Sequence, residues 1–243
     1  MTSKTRWSAQ LVVVMLCALT LKFFYSTASP DELRWILAPT TKLVELLSGR
    51  TFNFEAHAGY MSSDHSFLIA ASCAGVNFLL TAFLMLMLKR LWQCRFEGIG
   101  WGFFPIVAAI AYLTTIITNT VRICVALQMQ GWPSDVAGLD HNEIHRIEGI
   151  LVYFGFLLLL FWLTEPEGLE GWLKRSSFPL GIYYSTTVGM PLLNGAYRQG
   201  SEFWVHTAFV VILPFTLIVG LSLMKWFQSA VKLKHAKSRP VQS

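Results

Sequence analysis

Charged residues are scarce in this chain. They make up 14% of its 243 residues, against about 25% in an ordinary soluble domain. Hydrophobic residues account for 54% of the sequence, and its mean hydropathy is +0.50. A soluble fold of this length cannot bury so large an apolar fraction. The scarcity of charge therefore excludes an ordinary soluble domain and predicts a protein embedded in lipid.

Paired cysteines and internal repeats are also missing. None of the cysteines belongs to a CxxC pair, and each stands far from the next. This spacing argues against a disulfide framework and predicts at least one free thiol. The four cysteines are Cys17, Cys73, Cys94 and Cys124.

Long apolar runs dominate the sequence instead. Five strong runs occupy residues 10–25, 66–88, 102–127, 147–163 and 206–224, and they predict membrane spans. The first is interpreted as a signal anchor rather than as a cleaved signal peptide.

Two further segments are less regular. Residues 31–48 alternate charges with helically spaced apolar residues, which predicts an amphipathic helix along the membrane surface that ends at Gly49. Residues 178–197 are long enough to cross the membrane but are broken by Gly181, Gly189 and Pro191. Five and six spans therefore both remain open.

Basic residues orient the spans, because cytoplasmic loops are rich in Lys and Arg. If Lys4 and Arg6 are cytoplasmic, the basic loop at 89–95 and the loop with Lys174 and Arg175 are cytoplasmic too. Six spans also keep the basic C-terminal tail inside, so six is preferred.

The predicted fold is an all-α transmembrane bundle. Since the net charge of +5 comes from these flanks, no nucleic-acid partner is expected.

In this topology three reactive side chains reach the outer membrane face. Cys73 lies seven residues into the second span, about 10 Å deep at 1.5 Å per residue. Arg122 lies five residues before the end of the third span, about 8 Å deep, and His145 lies in the first turn of the fourth. Thiol, guanidinium and imidazole are therefore expected at similar depth.

These side chains suit acyl transfer, although each also has a structural interpretation. Cys73 could be a nucleophile or a small packing residue. Arg122 is costly within a span, and it could stabilise an oxyanion, extend towards water or line a transporter pathway. His145 could be a general base and acid. The supporting residues are Asn77, Asn119 and Glu148.

A metal site is a third interpretation. His141 and His145 are four residues apart and could face one ion, together with Asp140, Glu143 or His65. A single pair at this spacing is a weak motif, and the HExxH signature of zinc proteases is missing. No metal or other cofactor is therefore predicted.

Three segments that carry the reactive residues resemble the blocks of exosortases. They are SCAGVNF at 72–78, NTVRI at 119–123 and HRIEGILVYF at 145–154. They are similar to a Cys-small-Gly block, an Asn-x-x-Arg block and a His-x-x-x-Gly block, in the family's order. Residues 33–161 most resemble exosortase K.

This resemblance implies a cysteine peptidase or transpeptidase of the bacterial cytoplasmic membrane, active at the extracytoplasmic face. Its implied partners are membrane lipid and exported proteins with a C-terminal PEP-CTERM-type signal, which is a short motif, an apolar helix and a basic tail. By resemblance, Cys73 forms a thioacyl intermediate, Arg122 stabilises the transition state and His145 transfers protons. Arg146 remains an alternative third group, because the resemblance extends to archaeal enzymes that use an arginine in this role.

The resemblance also divides the chain. Residues 1–164 are predicted to form an exosortase-like membrane core with the catalytic residues. Residues 165–243 do not match the core pattern, and they are predicted to be a C-terminal extension with one or two further spans and a basic tail.

Overall fold

The protein is mostly helical. The computed structural model describes residues 2–94, 97–131, 135–136, 139–165 and 175–237, with side chains for all except 135–136, 139–142, 199 and 229–237. The helices are α1 Ser3–Thr27, α2 Arg34–Ser48, α3 Val76–Gln93, α4 Phe103–Met129, α5 His141–Leu163, α6 Ser177–Tyr184, α7 Met190–Leu193 and α8 Ser201–Lys237. The strands are β1 Phe52–Glu55, β2 Gly59–Ser62, β3 Leu68–Ile69, β4 Asp135–Val136 and β5 Leu139–Asp140.

Shorter helical turns join these elements. One 3₁₀ turn covers Ala71–Cys73, a π-helical turn covers Ser185–Gly189 and another 3₁₀ turn covers Ala196–Gln199. Strands β1, β2 and β3 form an antiparallel sheet, and β4 pairs with β5. These small sheets are additions to the all-α fold that the sequence predicts.

Five helical segments in the described part of the chain are long and apolar enough to cross a membrane. They are Ser3–Thr27, Ala71–Gln93, Phe103–Met129, Glu143–Leu163 and Ser201–Gln228. They coincide with the five strong apolar runs, which supports a polytopic helical membrane protein.

The sixth predicted span is helical over residues 177–193 but contains a π-helical turn. Residues 178–197 contain most of α6, the π-helical turn, α7 and part of a 3₁₀ turn. Its crossing of the membrane stays a prediction, and so does the cytoplasmic position of the basic tail. The end of that tail, residues 238–243, lies outside the described residues.

The second apolar run does not begin as a helix. Strand β3 pairs with β2 and the 3₁₀ turn follows, so that α3 begins only after Gly75. Gly75 has a φ of 71°, a left-handed conformation that interrupts helical geometry and that glycine adopts without strain. Cys73 therefore lies in the 3₁₀ turn at the start of the candidate span Ala71–Gln93, rather than seven residues inside a continuous helix.

Helix α2 confirms the predicted helix within residues 31–48, and it packs against α4. Trp35 stacks on Tyr112 of α4 with ring centroids 5.8 Å apart. Beyond the other end of α2, Arg50 Nη1 donates to Gln130 Oε1 at 3.1 Å. The helix therefore lies alongside α4, and its position along the membrane surface stays a prediction.

The start of α1 is attached to the loop between α3 and α4. Arg6 Nη2 and Gln10 Nε2 both donate to the carbonyl oxygen of Ile99, at 2.7 and 2.6 Å. Gln10 is fully buried and its Oε1 accepts from Ile99 N–H at 2.9 Å. These bonds bring two of the basic segments to one end of the bundle, as the predicted orientation requires.

A buried ion cluster joins α3, α5 and α6 at the C-terminal end of α3. Lys89 Nζ lies 3.2 Å from Glu165 Oε2, and Arg175 Nη1 lies 2.8 Å from Glu165 Oε1. Lys89 also donates to the carbonyl oxygen of Thr164 at 2.8 Å. The carboxylate thus holds two cations from different segments. Lys174, the other basic residue of this predicted loop, lies outside the described residues.

The C-terminal region packs onto the preceding helices. Thr81 of α3 and Thr186 share a buried hydrogen bond of 2.8 Å. The rings of Phe154 in α5 and Tyr183 in α6 have centroids 5.2 Å apart, and α8 contacts both α5 and α6. The predicted extension at 165–243 therefore shares an interior with residues 1–164.

We expect Glu165→Gln to lower the free energy of unfolding by about 3 kcal/mol or more, because loss of one partner leaves a buried charge uncompensated. The side chains of Glu165 and Lys89 are only 1% and 10% exposed. Denaturant unfolding of the full chain in detergent micelles measures the change. The control is Glu55→Gln, an exposed carboxylate at the end of β1, for which we expect a change under about 0.5 kcal/mol. Equal effects of the two substitutions would contradict the prediction.

Candidate active site

A cavity of about 350 Å³ lies at the N-terminal end of α3. The buried ion cluster with Lys89 lies at the other end of that helix. The walls of the cavity come from α1, the turn before α3, α3, α4, α5, the segment containing α6 and the π-helical turn, and α8. Arg122, Arg146, His145 and His206 line it, and none of the described residues that line it is acidic. The cavity therefore combines a cationic lining with two imidazole groups.

Cys73 is positioned by hydrogen bonds of its backbone. Its N–H donates to the carbonyl oxygen of Ala70 at 2.9 Å, which closes the 3₁₀ turn. Its carbonyl oxygen accepts a hydrogen bond from the Asn119 side chain. Gly75 packs against that side chain so closely that a Cβ there would lie 3.2 Å from Asn119 Cγ. The turn is thus attached to α4 at the level of Asn119.

Asn119, Tyr153 and Arg122 form a hydrogen-bonded chain between α4 and α5. The Tyr153 hydroxyl donates to Asn119 Oδ1 at 2.9 Å and accepts from Arg122 Nη1 at 3.2 Å. Asn119 is fully buried. Because both ends of its carboxamide are bonded, the orientation of Asn119 is fixed, and Tyr153 sets the position of the guanidinium.

Arg122 and His145 are in direct contact. Arg122 Nη2 lies 3.2 Å from His145 Nε2. A guanidinium group only donates hydrogen bonds, so Nε2 is the acceptor and the imidazole proton is on Nδ1. Nδ1 lies 3.4 Å from Glu148 Oε2. That separation is within ion-pair distance, although neither Glu148 oxygen makes a hydrogen bond with a described residue.

The structure brings the three predicted catalytic residues to one region. Arg122 contacts His145 directly, and Cys73 is close enough to Arg122 and Tyr153 for electrostatic interaction. The cavity lining includes Ser72 and Gly75 but not Cys73 itself. Among the described residues, no hydrogen bond joins the Cys73 thiol to His145. The predicted convergence is therefore present, with the thiol beside the Arg122–His145 pair rather than bonded to it.

The supporting residues occupy different positions. Asn119 bonds to the Cys73 carbonyl oxygen and to the Tyr153 hydroxyl. Glu148 lies beside His145. Asn77 lines the cavity from the first turn of α3, and its Oδ1 accepts from Lys22 Nζ of α1 at 2.7 Å. Arg146 lines the cavity beside His145, so both candidates for the third catalytic group remain next to the site.

Sequence reasoning missed the residues that complete the cavity. Tyr25, Tyr153, Thr187 and His206 all line it. Tyr153 stands eight residues after His145 on the same helix, and this spacing of about two turns was an available signal. His206 had no such signal, because a histidine near the start of an apolar span does not indicate which elements it will face.

Among the described residues, no group of three metal-binding side chains comes together. The side chains of His141 and Asp140 lie outside the described residues, so the alternative interpretation of His141 and His145 as a metal-binding pair is not tested.

The side chains around the cavity could supply a nucleophile, a fixed positive charge and a proton carrier. Cys73, Arg122 and His145 are the corresponding groups. Comparison of the chain with protein-family models, curated proteins and solved structures gives no match.

We expect Gly75→Ala to destabilise the protein more than Gly49→Ala does. Both glycines have a φ near +70°, so both substitutions carry the left-handed backbone cost of about 1–2 kcal/mol. Only at Gly75 would the new Cβ approach buried groups, at 3.2 Å from Asn119 Cγ and 3.3 Å from Thr115 Cγ2. Overpacking of this kind adds about 1–3 kcal/mol.

The comparison uses thermal or denaturant unfolding of both variants in the same detergent. Gly49 is the predicted helix cap, its N–H donates to the carbonyl oxygen of Glu45, and a Cβ there would meet nothing within 4 Å. Equal losses of stability would show that the contact between Gly75 and Asn119 is unimportant.

Proposed function

We propose that this protein is an exosortase-like cysteine peptidase or transpeptidase that cleaves C-terminal sorting signals of exported proteins. The observation that carries the proposal is the contact between Arg122 and His145, at 3.2 Å, beside the turn that holds Cys73. A guanidinium and an imidazole in one cavity, with a thiol in the adjacent turn, are the groups that acyl transfer to sulfur requires.

In the first half-reaction, the Cys73 sulfur attacks the scissile carbonyl carbon after His145 has taken the thiol proton. The oxygen of the tetrahedral intermediate becomes negative, and Arg122 stabilises it. His145 then donates its proton to the leaving amine as the C–N bond breaks. A thioester between Cys73 and the substrate remains, and water or an acceptor nucleophile resolves it in the second half-reaction.

The proposed substrates are exported proteins whose C-terminus carries a short motif, an apolar helix and a basic tail. Five apolar helices support a location in a membrane. The basic start of α1 and the loop after α3 meet at the end of the bundle away from the cavity. With the basic end in the cytoplasm, the cavity faces the outside of a bacterial cytoplasmic membrane, where the exported part of such a substrate lies.

We expect Cys73→Ala to abolish processing. The assay co-expresses the chain with an exported reporter that ends in a Pro-containing motif, an apolar helix and a basic tail, and it follows loss of the tail by mass. The matched control is Cys124→Ala on α4, which should process the reporter at about the wild-type rate. A covalent adduct on Cys73 of the wild-type protein, detected by mass spectrometry, would identify the thioester.

Continued processing by Cys73→Ala would contradict the proposal. A transporter in which Arg122 lines the pathway would tolerate Cys73→Ser, and solute flux would depend on Arg122 alone.

We expect Arg122→Lys to reduce the processing rate by about 100-fold, because loss of one oxyanion donor typically costs that much. Lysine keeps the charge but cannot donate to both Tyr153 and His145 with the fixed fork of a guanidinium. The control is Arg90→Lys, an exposed residue at the other end of α3. Similar rates for both variants would mean that only the charge of Arg122 matters or that Arg122 has no role.

A further inference from the structure

His145 has a charged neighbour at each ring nitrogen. Arg122 donates to Nε2 at 3.2 Å, and Glu148 lies 3.4 Å from Nδ1. For His145 to accept a proton on Nε2 in either half-reaction, the contact with Arg122 must open. A base that is not attached to Arg122 would take the proton of the acceptor without opening this contact.

His206 is a second imidazole on the cavity wall, and it comes from α8. Its neighbours on the same helix face, Phe203 and Val210, are buried at 6% and 2% exposure, so this face of α8 packs inward. Arg146 of α5 is within electrostatic range of His206. His206, which is half-buried, thus lies on the inward face of the last described span.

Neither ring nitrogen of His206 makes a hydrogen bond with a described residue, and Nδ1 is buried without a partner. Buried polar atoms in proteins are nearly always bonded, so an orphaned one needs an explanation. A histidine that serves only packing would normally donate its N–H to a carbonyl or a carboxylate. Because no hydrogen bond with a described residue fixes the ring of His206, the imidazole can turn a nitrogen towards a molecule that enters the cavity.

We propose that His206 is the catalytic base of the second half-reaction, in which it deprotonates the acceptor nucleophile. This inference rests on the proposed function. The acceptor attacks the thioester carbonyl carbon, a new bond forms between that carbon and the acceptor, and the acceptor's proton passes to His206. The C–S bond then breaks, the Cys73 sulfur leaves as a thiolate beside Arg122, and the proton on His206 passes to solvent.

This role divides proton transfer between the two histidines. His145, held by Arg122 and Glu148, serves the thiol and the leaving amine. His206, which belongs to α8, serves the incoming acceptor. The two half-reactions then depend on different residues, and they can be separated experimentally.

The test uses His206→Gln in the purified full-length protein, reconstituted in detergent micelles with the reporter substrate. We expect each molecule to release about one tail fragment in an initial burst and then to stop with the thioester on Cys73. Steady-state turnover should fall by about 100-fold, within the usual contribution of a general base. The control is His57→Gln, whose side chain is 91% exposed on the hairpin between β1 and β2. It should turn over like the wild type.

Added hydroxylamine provides a second readout. It is a strong nucleophile that does not need a base, so it should release the stalled acyl group and restore turnover in His206→Gln. A variant that is merely misfolded would form no thioester and would not respond to hydroxylamine. In that case His206→Asn is tested for the same initial burst.

The outcomes separate the two proposals. Wild-type turnover in His206→Gln, or loss of its initial burst in a folded variant, would overturn the role of His206 and leave the proposed function standing. Absence of both processing and thioester in the wild-type protein would overturn the proposed function, and the role of His206 with it.

Discussion

The site depends on one buried carboxamide. Asn119 lies inside a membrane-spanning helix, where every polar group must find its partner within the protein. Its partners are the Cys73 carbonyl oxygen and the Tyr153 hydroxyl. These two bonds fix the turn before α3 against α4 and fix the rotation of α5 about its own axis. The position of Arg122 follows, because its guanidinium donates to the same tyrosine hydroxyl.

The long helices were predictable because their signal is local. An unbroken apolar run of about 20 residues has few alternatives in lipid, and α1, α4, α5 and α8 follow such runs. Gly49 was predictable as a helix end for the same reason, since the left-handed cap that it forms suits glycine without reference to distant residues.

The segment before α3 was not predictable in this way. Residues 67–69 are Phe, Leu and Ile, which suit either a strand or the first turn of an apolar helix. Pairing with β2 decides in favour of the strand, and β2 lies outside the apolar run from which the helix was predicted. The convergence of Cys73 with Arg122 and His145 was still predicted, because shortening the helix by nearly three turns leaves Cys73 at the same end of the bundle.

The same limit applies to the walls of the site. Aromatic and small polar residues within an apolar span look alike whether they face lipid, a neighbouring helix or a cavity. Tyr153 could be placed by its spacing from His145, but Thr187 and His206 depend on how α6 and α8 pack onto α5. That packing is set by contacts such as Phe154 with Tyr183, which become evident only in three dimensions.

The cavity takes walls from both ends of the chain, with Tyr25 in the first span and His206 in the last. Synthesis delivers Cys73, Arg122 and His145 to the membrane well before α8 leaves the ribosome. Until α8 inserts and docks on α5, the nascent chain carries a free thiol and a buried cation without an enclosed pocket. Closure of the pocket is therefore a late event in the biogenesis of the protein, and membrane insertion of the final helix determines when the site is complete.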